Sequence, residues 1–368
     1  MAKGNRKTRS DKGKKRGKYK TSQNPLNVNK INDNCLIYNN DCRVILNSYS
    51  KNSIHAIVTD PPYGISFMNN KWDYEIPLVK DFKKMLRVLK PGSPLLCFAS
   101  PRTYHRMAVN IEDAGFEIKD CLMWLYGGGF PKSQSVKDLL IKYLKNNQAN
   151  VDDINKAINI FEKYRTFSLK PAYEPIIMAM KPLEDNYANN ALKYCCAGLN
   201  IEECRLKYKG KKWEKPRGGI WKTDKESKAI LVDNDVGRFP SNLIYEGSQD
   251  VIDTLIASVE KSMNIKEKDF ITRIFYCAKV KGANKIGNTH PTIKPISLMQ
   301  YLCRLVKPPL KDDFILDPYM GSGSTGVACI NEEIKFIGVE FQKEYFDIAK
   351  NRIEKTIEEK RNIFNEFM

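Results

Sequence analysis

The sequence predicts an α/β fold, a doubly wound parallel sheet that carries a long insert. Three observations lead there. Short apolar runs such as Ala56-Ile57-Val58 and Phe314-Ile315-Leu316 alternate with segments of helical spacing. Two of these runs end in Asp-Pro, as a buried strand delivering polar groups to a crevice would. The second continues into Gly321-Ser322-Gly323-Ser324-Thr325-Gly326, a G-x-G-x-x-G turn between strand and helix.

Residues 1–30 lack periodicity and are expected to be a disordered basic tail. Residues 1–20 hold ten Lys or Arg against Asp11, so this tail supplies +9 of the net +18. A surplus of that size points to a polyanionic partner, foremost nucleic acid. Cys35 to Tyr38 reads as a strand and 42–49 as a short helix. Ile54 to Thr59 is the strand before Asp60-Pro61-Pro62-Tyr63. Residues 75–89 read as a helix that ends at Lys90-Pro91-Gly92. Pro94 to Phe98 is a buried strand. Ser100-Pro101 then opens a helix, with serine as N-cap and proline at the first helical position. Residues 117–126 form a strand broken by Gly127-Gly128-Gly129.

Alternation fades over 131–283. A polar helical stretch covers about 134–164. Residues 205–222 mix Lys207, Lys209, Lys211, Lys212 and Arg217 with Tyr208, Trp213 and Trp221, a composition suited to nucleic-acid contact. Alternation resumes with a helix from Pro295, the strand 314–316, the glycine turn, a strand from Lys335 to Val339, and a helix over 343–364. The division expected is a tail (1–30), a catalytic half (31–130), a target-recognition region (131–283) and a cofactor-binding half (284–368).

Composition narrows the class. Hydrophobic content of 42% and charged content of 28% fit a globular chain, and no apolar run reaches the ~18 residues of a membrane span. The expectation is a cytoplasmic, DNA-associated protein, or a nuclear one in a eukaryotic or viral host. Ten cysteines form no C-x-x-C pair and only three histidines occur, so no metal is expected.

The two Asp-Pro motifs suggest chemistry. In Asp60-Pro61-Pro62-Tyr63, a carboxylate and carbonyls that accept hydrogen bonds stand beside a stacking ring. Together they suit the exocyclic amine of a nucleobase. Around Gly321, the separation of 19 residues to Glu340 is that of an acid holding ribose hydroxyls. Asp317 before the turn disfavours a pyrophosphate and favours a cationic amine. An adenosine-type cofactor follows, and S-adenosylmethionine has the amine, the sulfonium and no phosphate.

These residues resemble the DNA amino-methyltransferases that act on adenine N6 or cytosine N4. Asp60 to Tyr63 is similar to their catalytic tetrapeptide, and Asp317-Pro318-Tyr319 through Gly326 to their cofactor loop. His290-Pro291-Thr292-Ile293-Lys294-Pro295 is similar to the element before that loop in the permuted β group. Gly64 to Phe67, Lys170-Pro171-Ala172-Tyr173-Glu174-Pro175 and Gly237 to Ile244 resemble adenine enzymes of phage and prophage type. The resemblance implies a circularly permuted Rossmann-like methyltransferase sheet with an inserted target-recognition region. It implies S-adenosylmethionine as cofactor, held by Asp41, Cys42, His290, Thr292, Lys294, Asp317, Pro318, Tyr319, Gly321, Gly323, Thr325, Gly326 and Glu340. Lys294 is expected to pair with its carboxylate, and Asp41 to lie beside its adenine. Double-stranded DNA is the expected partner, and a homodimer and a cognate restriction endonuclease are further ones. Aspartate at position 60 favours adenine over cytosine N4. A catalytically dead DNA-binding relative and an RNA enzyme are the rival readings.

Overall fold

A computed structural model describes residues 28–66, 73–126, 131–148, 150–205, 214–215, 230–231, 239–245, 275–276 and 293–366. The first strands, β1 (Val28–Asn32) and β2 (Cys35–Asn39), form an antiparallel hairpin. Asn32 Oδ1 accepts from the Asn34 amide at 2.8 Å to close its turn. Helix α1 (Cys42–Ser48) follows β2, and β3 (Ala56–Thr59) leads to Asp60.

Helix α2 (Val79–Val88) starts later than the apolar spacing predicts. Pro77 keeps Ile76 out of helical geometry. Asp81 Oδ2 then accepts from the Leu78 amide at 3.0 Å, fixing the entry there. After β4 (Pro94–Phe98), helix α3 (Tyr104–Asp113) also starts later than expected. Residues 101–103 form a turn in which Ser100 O accepts from the Thr103 and Tyr104 amides. Beyond β5 (Glu117–Leu125), the expected single helical stretch is two helices, α4 (Val136–Asn146) and α5 (Val151–Phe161). Gln148 breaks it at φ +53°, and Asn150 caps α5 by accepting from the Asp153 amide at 2.8 Å.

The next elements are β6 (Tyr173–Met180), α6 (Tyr187–Tyr194), the two-residue ribbon β7 (Glu214–Lys215) with β8 (Ile230–Leu231), β9 (Leu243–Tyr245) and β10 (Phe275–Tyr276). Then come α7 (Ile296–Leu305), β11 (Phe314–Asp317), α8 (Ser324–Asn331), β12 (Lys335–Glu340) and α9 (Lys343–Glu366).

The main sheet runs β1-β2-β12-β11-β3-β4-β6-β5-β9-β10. Its centre, β2-β12-β11-β3-β4, is parallel, with Ile337 opposite Leu36 and Leu316 opposite Ile57. The last strand in sequence therefore lies beside one of the first, which is the doubly wound order with chain ends relocated. The sheet is not parallel throughout: β6 is antiparallel to both β4 and β5. The chain leaves β5 at the carboxyl edge and returns at that edge after residues 126–172, so β6 must run the other way. This strand lies within the stretch expected to be the inserted region and pairs directly with β4 of the parallel centre.

Alternate residues of each parallel strand feed opposite cores. Ala56, Val58 and Ile315 join one apolar cluster, and Ile57 and Leu316 the other. Helices α7, α8 and α9 cover the first, and α1, α2 and α3 the second. Among the described residues, no helix is long and apolar enough to cross a membrane.

Candidate active site

Strand order reverses between β11 and β3, and there both strands open into one cleft of about 630 Å³. Its walls include Asp41, Cys42, Asp60 to Tyr63, Glu174, Lys294, Asp317 to Ser322 and Glu340. The two Asp-Pro motifs, distant in sequence, thus meet at one edge of the sheet.

Asp317 closes β11 and is buried, 2% exposed. Thr59 at the end of β3 donates to its Oδ1 at 2.7 Å, and Thr325 of α8 donates to Oδ2 at 2.5 Å. The Tyr319 amide adds a bond at 3.1 Å. Burial raises this carboxyl from 3.8 to about 7, against the bonds from Thr325, Thr59 and Tyr319, and the charge of Asp60 adds to the rise. The folded protein therefore keeps the Asp317 proton toward pH 7, whereas an unfolded chain loses it near pH 4. Stability from this group is full below about pH 4 and is lost as pH rises through about 7. Asp317→Asn stays neutral and removes that slope. Between pH 5 and pH 8 wild type is expected to lose about 3 kcal/mol relative to Asp317→Asn. Denaturant midpoints of both proteins at the two pH values measure this, and parallel pH dependence would refute it.

The glycine turn is held from two sides. Glu340, at the end of β12, accepts from the Gly321 amide at 2.9 Å and from the Gln342 amide at 2.7 Å. Burial raises its carboxyl above the ordinary range despite those bonds. Arg352 of α9 donates to the Ser322 carbonyl and, at 3.1 Å, to its hydroxyl. Gly323 caps α8 at φ +82°.

Asp41 has two jobs. It caps α1 by accepting from the Arg43 amide at 2.9 Å, and its carboxylate pairs with the Arg43 guanidinium. Burial would raise its carboxyl, but the bonds and charge of Arg43 outweigh burial and hold it below the usual range. The neighbouring Cys42 thiol is pushed up to about 12 by burial.

Asp60 stands at the centre of a second group. The Tyr63 hydroxyl donates to Asp60 Oδ1 at 2.6 Å, and Lys294 Nζ donates to Oδ2 at 2.6 Å. Glu174 Oε2 lies 3.2 Å from Lys294 Nζ and 3.2 Å from the Tyr63 hydroxyl. The ammonium also sits 4.8 Å from the Phe98 ring centroid. Burial disfavours its charge, but Asp60 and Glu174 overcome that and keep Lys294 protonated. The charge of Lys294 is thus matched within the protein.

The backbone after the tetrapeptide is fixed by residues that carried no sequence signal. Asp73, 2% exposed, accepts from the Tyr63 amide at 2.6 Å and the Gly64 amide at 3.0 Å. Thr103 donates to the Tyr63 carbonyl at 2.7 Å, which is why it does not cap α3. Arg43, on Asp41, and Thr59, on Asp317, likewise lie outside the two motifs. Glu174 has a sequence signal, since it lies in the Lys170 to Pro175 stretch. Trp124 packs in the core while Tyr126, its ring 5.1 Å away, lines the cleft. His290, Thr292, Lys207, Lys209, Lys211, Lys212 and Arg217 lie outside the described residues.

The profile of the N6/N4 DNA methylase family matches residues 54–351. The type II methyltransferase M.HindIII of Haemophilus influenzae is 23% identical over 362 residues, covering 86% of this chain and 94% of its own. M.BglI of Bacillus subtilis, also a type II methyltransferase, is 24% identical over 330 residues, covering 85% and 84%. Among solved structures, the M1.HpyAVI–SAM complex aligns at 21% identity with a TM-score of 0.43, covering 87% of this chain and 98% of that one.

Proposed function

The chain belongs to the N6/N4 DNA methylase family, and from that premise we propose that it methylates the N6 amino group of adenine in a specific double-stranded DNA sequence. The observation that carries this reading is the Asp60-Pro61-Pro62-Tyr63 tetrapeptide at the mouth of a carboxylate-lined cleft. Aspartate rather than serine at its first position favours adenine.

The cleft fits S-adenosylmethionine. Its volume lies within the ~300–1,000 Å³ common for small-molecule sites. Asp41, Asp317 and Glu340 line it, while Arg43 and Lys294 there are already paired with carboxylates. Those carboxyl groups offer hydrogen-bond acceptors to the amino group of the methionine part. When bound, S-adenosylmethionine supplies an electrophilic methyl group. Glu340 would hold the ribose, the backbone around Gly321 and Gly323 would line the sugar and methionine, and Asp41 would border the adenine, while Asp317 fixes the turn between β11 and α8.

The target adenine leaves the duplex, because its amine is paired inside it. Tyr63 stacks on the flipped ring. Its amide and carbonyl are held by Asp73 and Thr103, so ring and carboxylate keep one geometry. The Asp60 carboxylate and Pro61 carbonyl accept the amine hydrogens and turn the nitrogen lone pair toward the methyl carbon. Lys207, Lys209, Lys211, Lys212 and Arg217 contribute phosphate contacts.

Incubation with S-adenosylmethionine and DNA of varied sequence, followed by nucleoside mass spectrometry, tests the proposal. N6-methyldeoxyadenosine is expected. N4-methyldeoxycytidine alone would overturn the base assignment, and no methylated nucleoside would overturn the enzymatic reading.

A further inference from the structure

Resting on that reading, we infer that Glu174 is a positioning residue, which holds the Lys294 ammonium while Asp60 serves the amine of the target base. Glu174 is the second residue of β6, and because β6 runs against β4 its start lies at the carboxyl edge where Asp60 also ends its strand. The antiparallel strand therefore delivers a carboxylate to the cleft from a direction that a parallel strand could not.

The group holds one cation between two carboxylates. Lys294 Nζ is 2.6 Å from Asp60 Oδ2 and 3.2 Å from Glu174 Oε2, with the Tyr63 oxygen a third neighbour at 3.1 Å. Both oxygens of Asp60 already accept a bond, one from Lys294 and one from Tyr63. Lys294 is 6% exposed and rests on Phe98. An ammonium so placed cannot be left without a counter-charge.

Transfer disturbs this balance at one point. The amine nitrogen forms its bond to the methyl carbon, the carbon–sulfur bond breaks, and sulfur keeps the electron pair. The nitrogen then sheds one proton to the Asp60 carboxylate, which becomes neutral. Asp60 can no longer compensate Lys294, and Glu174 takes over that charge without any atom moving far. The proton later passes to solvent and restores the starting pair. Without Glu174, Lys294 would have Asp60 as its one carboxylate partner here, would compete with the amine for it, and would oppose the cation forming on the base.

Steady-state methylation over a range of S-adenosylmethionine concentrations tests this. Wild-type turnover on DNA answers for the parent reading by itself, and variant rates scaled to wild type answer for Glu174. Glu174→Gln is expected to lower kcat roughly 10- to 100-fold, with KM for S-adenosylmethionine unchanged within about threefold. Removing the cation as well, in Lys294→Gln/Glu174→Gln, is expected to recover roughly fivefold or more over Glu174→Gln alone. Glu174→Asp keeps the charge and is expected within about tenfold of wild type, which maintains the test if the glutamine variant does not fold. Wild-type kcat in Glu174→Gln, a double variant slower than the single one, or Glu174→Asp as impaired as Glu174→Gln would each overturn the inference.

Discussion

Asp60→Ala is expected to reduce methyl transfer roughly a thousandfold or more while S-adenosylmethionine still binds within a few-fold of wild type. The split follows from what Asp60 touches. Its oxygens meet Tyr63 and Lys294, on the side of the cleft where the base is proposed to enter, and none of its bonds reaches the glycine turn. The turn is held instead by Glu340, Arg352 and Asp317. Truncation should not collapse the group, because Glu174 remains 3.2 Å from the Lys294 ammonium. A lost counter-ion would otherwise leave a buried charge unpaired, at about 3–5 kcal/mol. The loss in rate therefore reports chemistry and not unfolding. Equilibrium titration of cofactor beside single-turnover kinetics separates the two. A variant retaining activity within tenfold of wild type would remove Asp60 from the reaction.

Much of this site was readable because its parts are local. The tetrapeptide, the glycine turn and Glu340 each sit at the end of a strand whose apolar run is visible in one short window. Their convergence was also legible, through the order of motifs: a cofactor loop that follows the catalytic strand makes sense only if β12 lies beside β2, and Ile337 does pair with Leu36. The supports were not legible. Glu174 meets Tyr63 across 111 residues, and Lys294 meets it across 231. Neither contact follows from local spacing. An antiparallel strand brings Lys294 a second carboxylate. That strand orientation depends on where the insert leaves and rejoins the sheet, which propensity does not encode. Helix starts were missed for a related reason. Thr103 is free to cap α3 by type, yet its hydroxyl is drawn to Tyr63 by the tertiary fold.

Gly323→Ala is expected to destabilise the fold by about 2–4 kcal/mol and to weaken S-adenosylmethionine binding at least tenfold. Two independent penalties act at this position. Its backbone lies at φ +82°, a region that L side chains rarely adopt. An added Cβ would also stand 2.9 Å from Ala349 Cβ and 3.0 Å from Ala349 Cα. The second contact is to the backbone of α9, which cannot swing aside as a flexible side chain would. Relief must come from moving the turn, and the turn carries both the N-terminus of α8 and the amide that Glu340 holds. Stability and ligand affinity therefore fall together. Ala349→Gly separates the penalties. It removes one of the two close atoms, so Gly323→Ala/Ala349→Gly should show a favourable coupling of about 1 kcal/mol while the backbone strain persists. Denaturant unfolding of the four proteins, with cofactor titration of each, measures both quantities. A neutral Gly323→Ala, or a cycle without coupling, would mean that α9 does not clamp the turn and that the close packing of glycine on helix is not what shapes the cofactor side of the cleft.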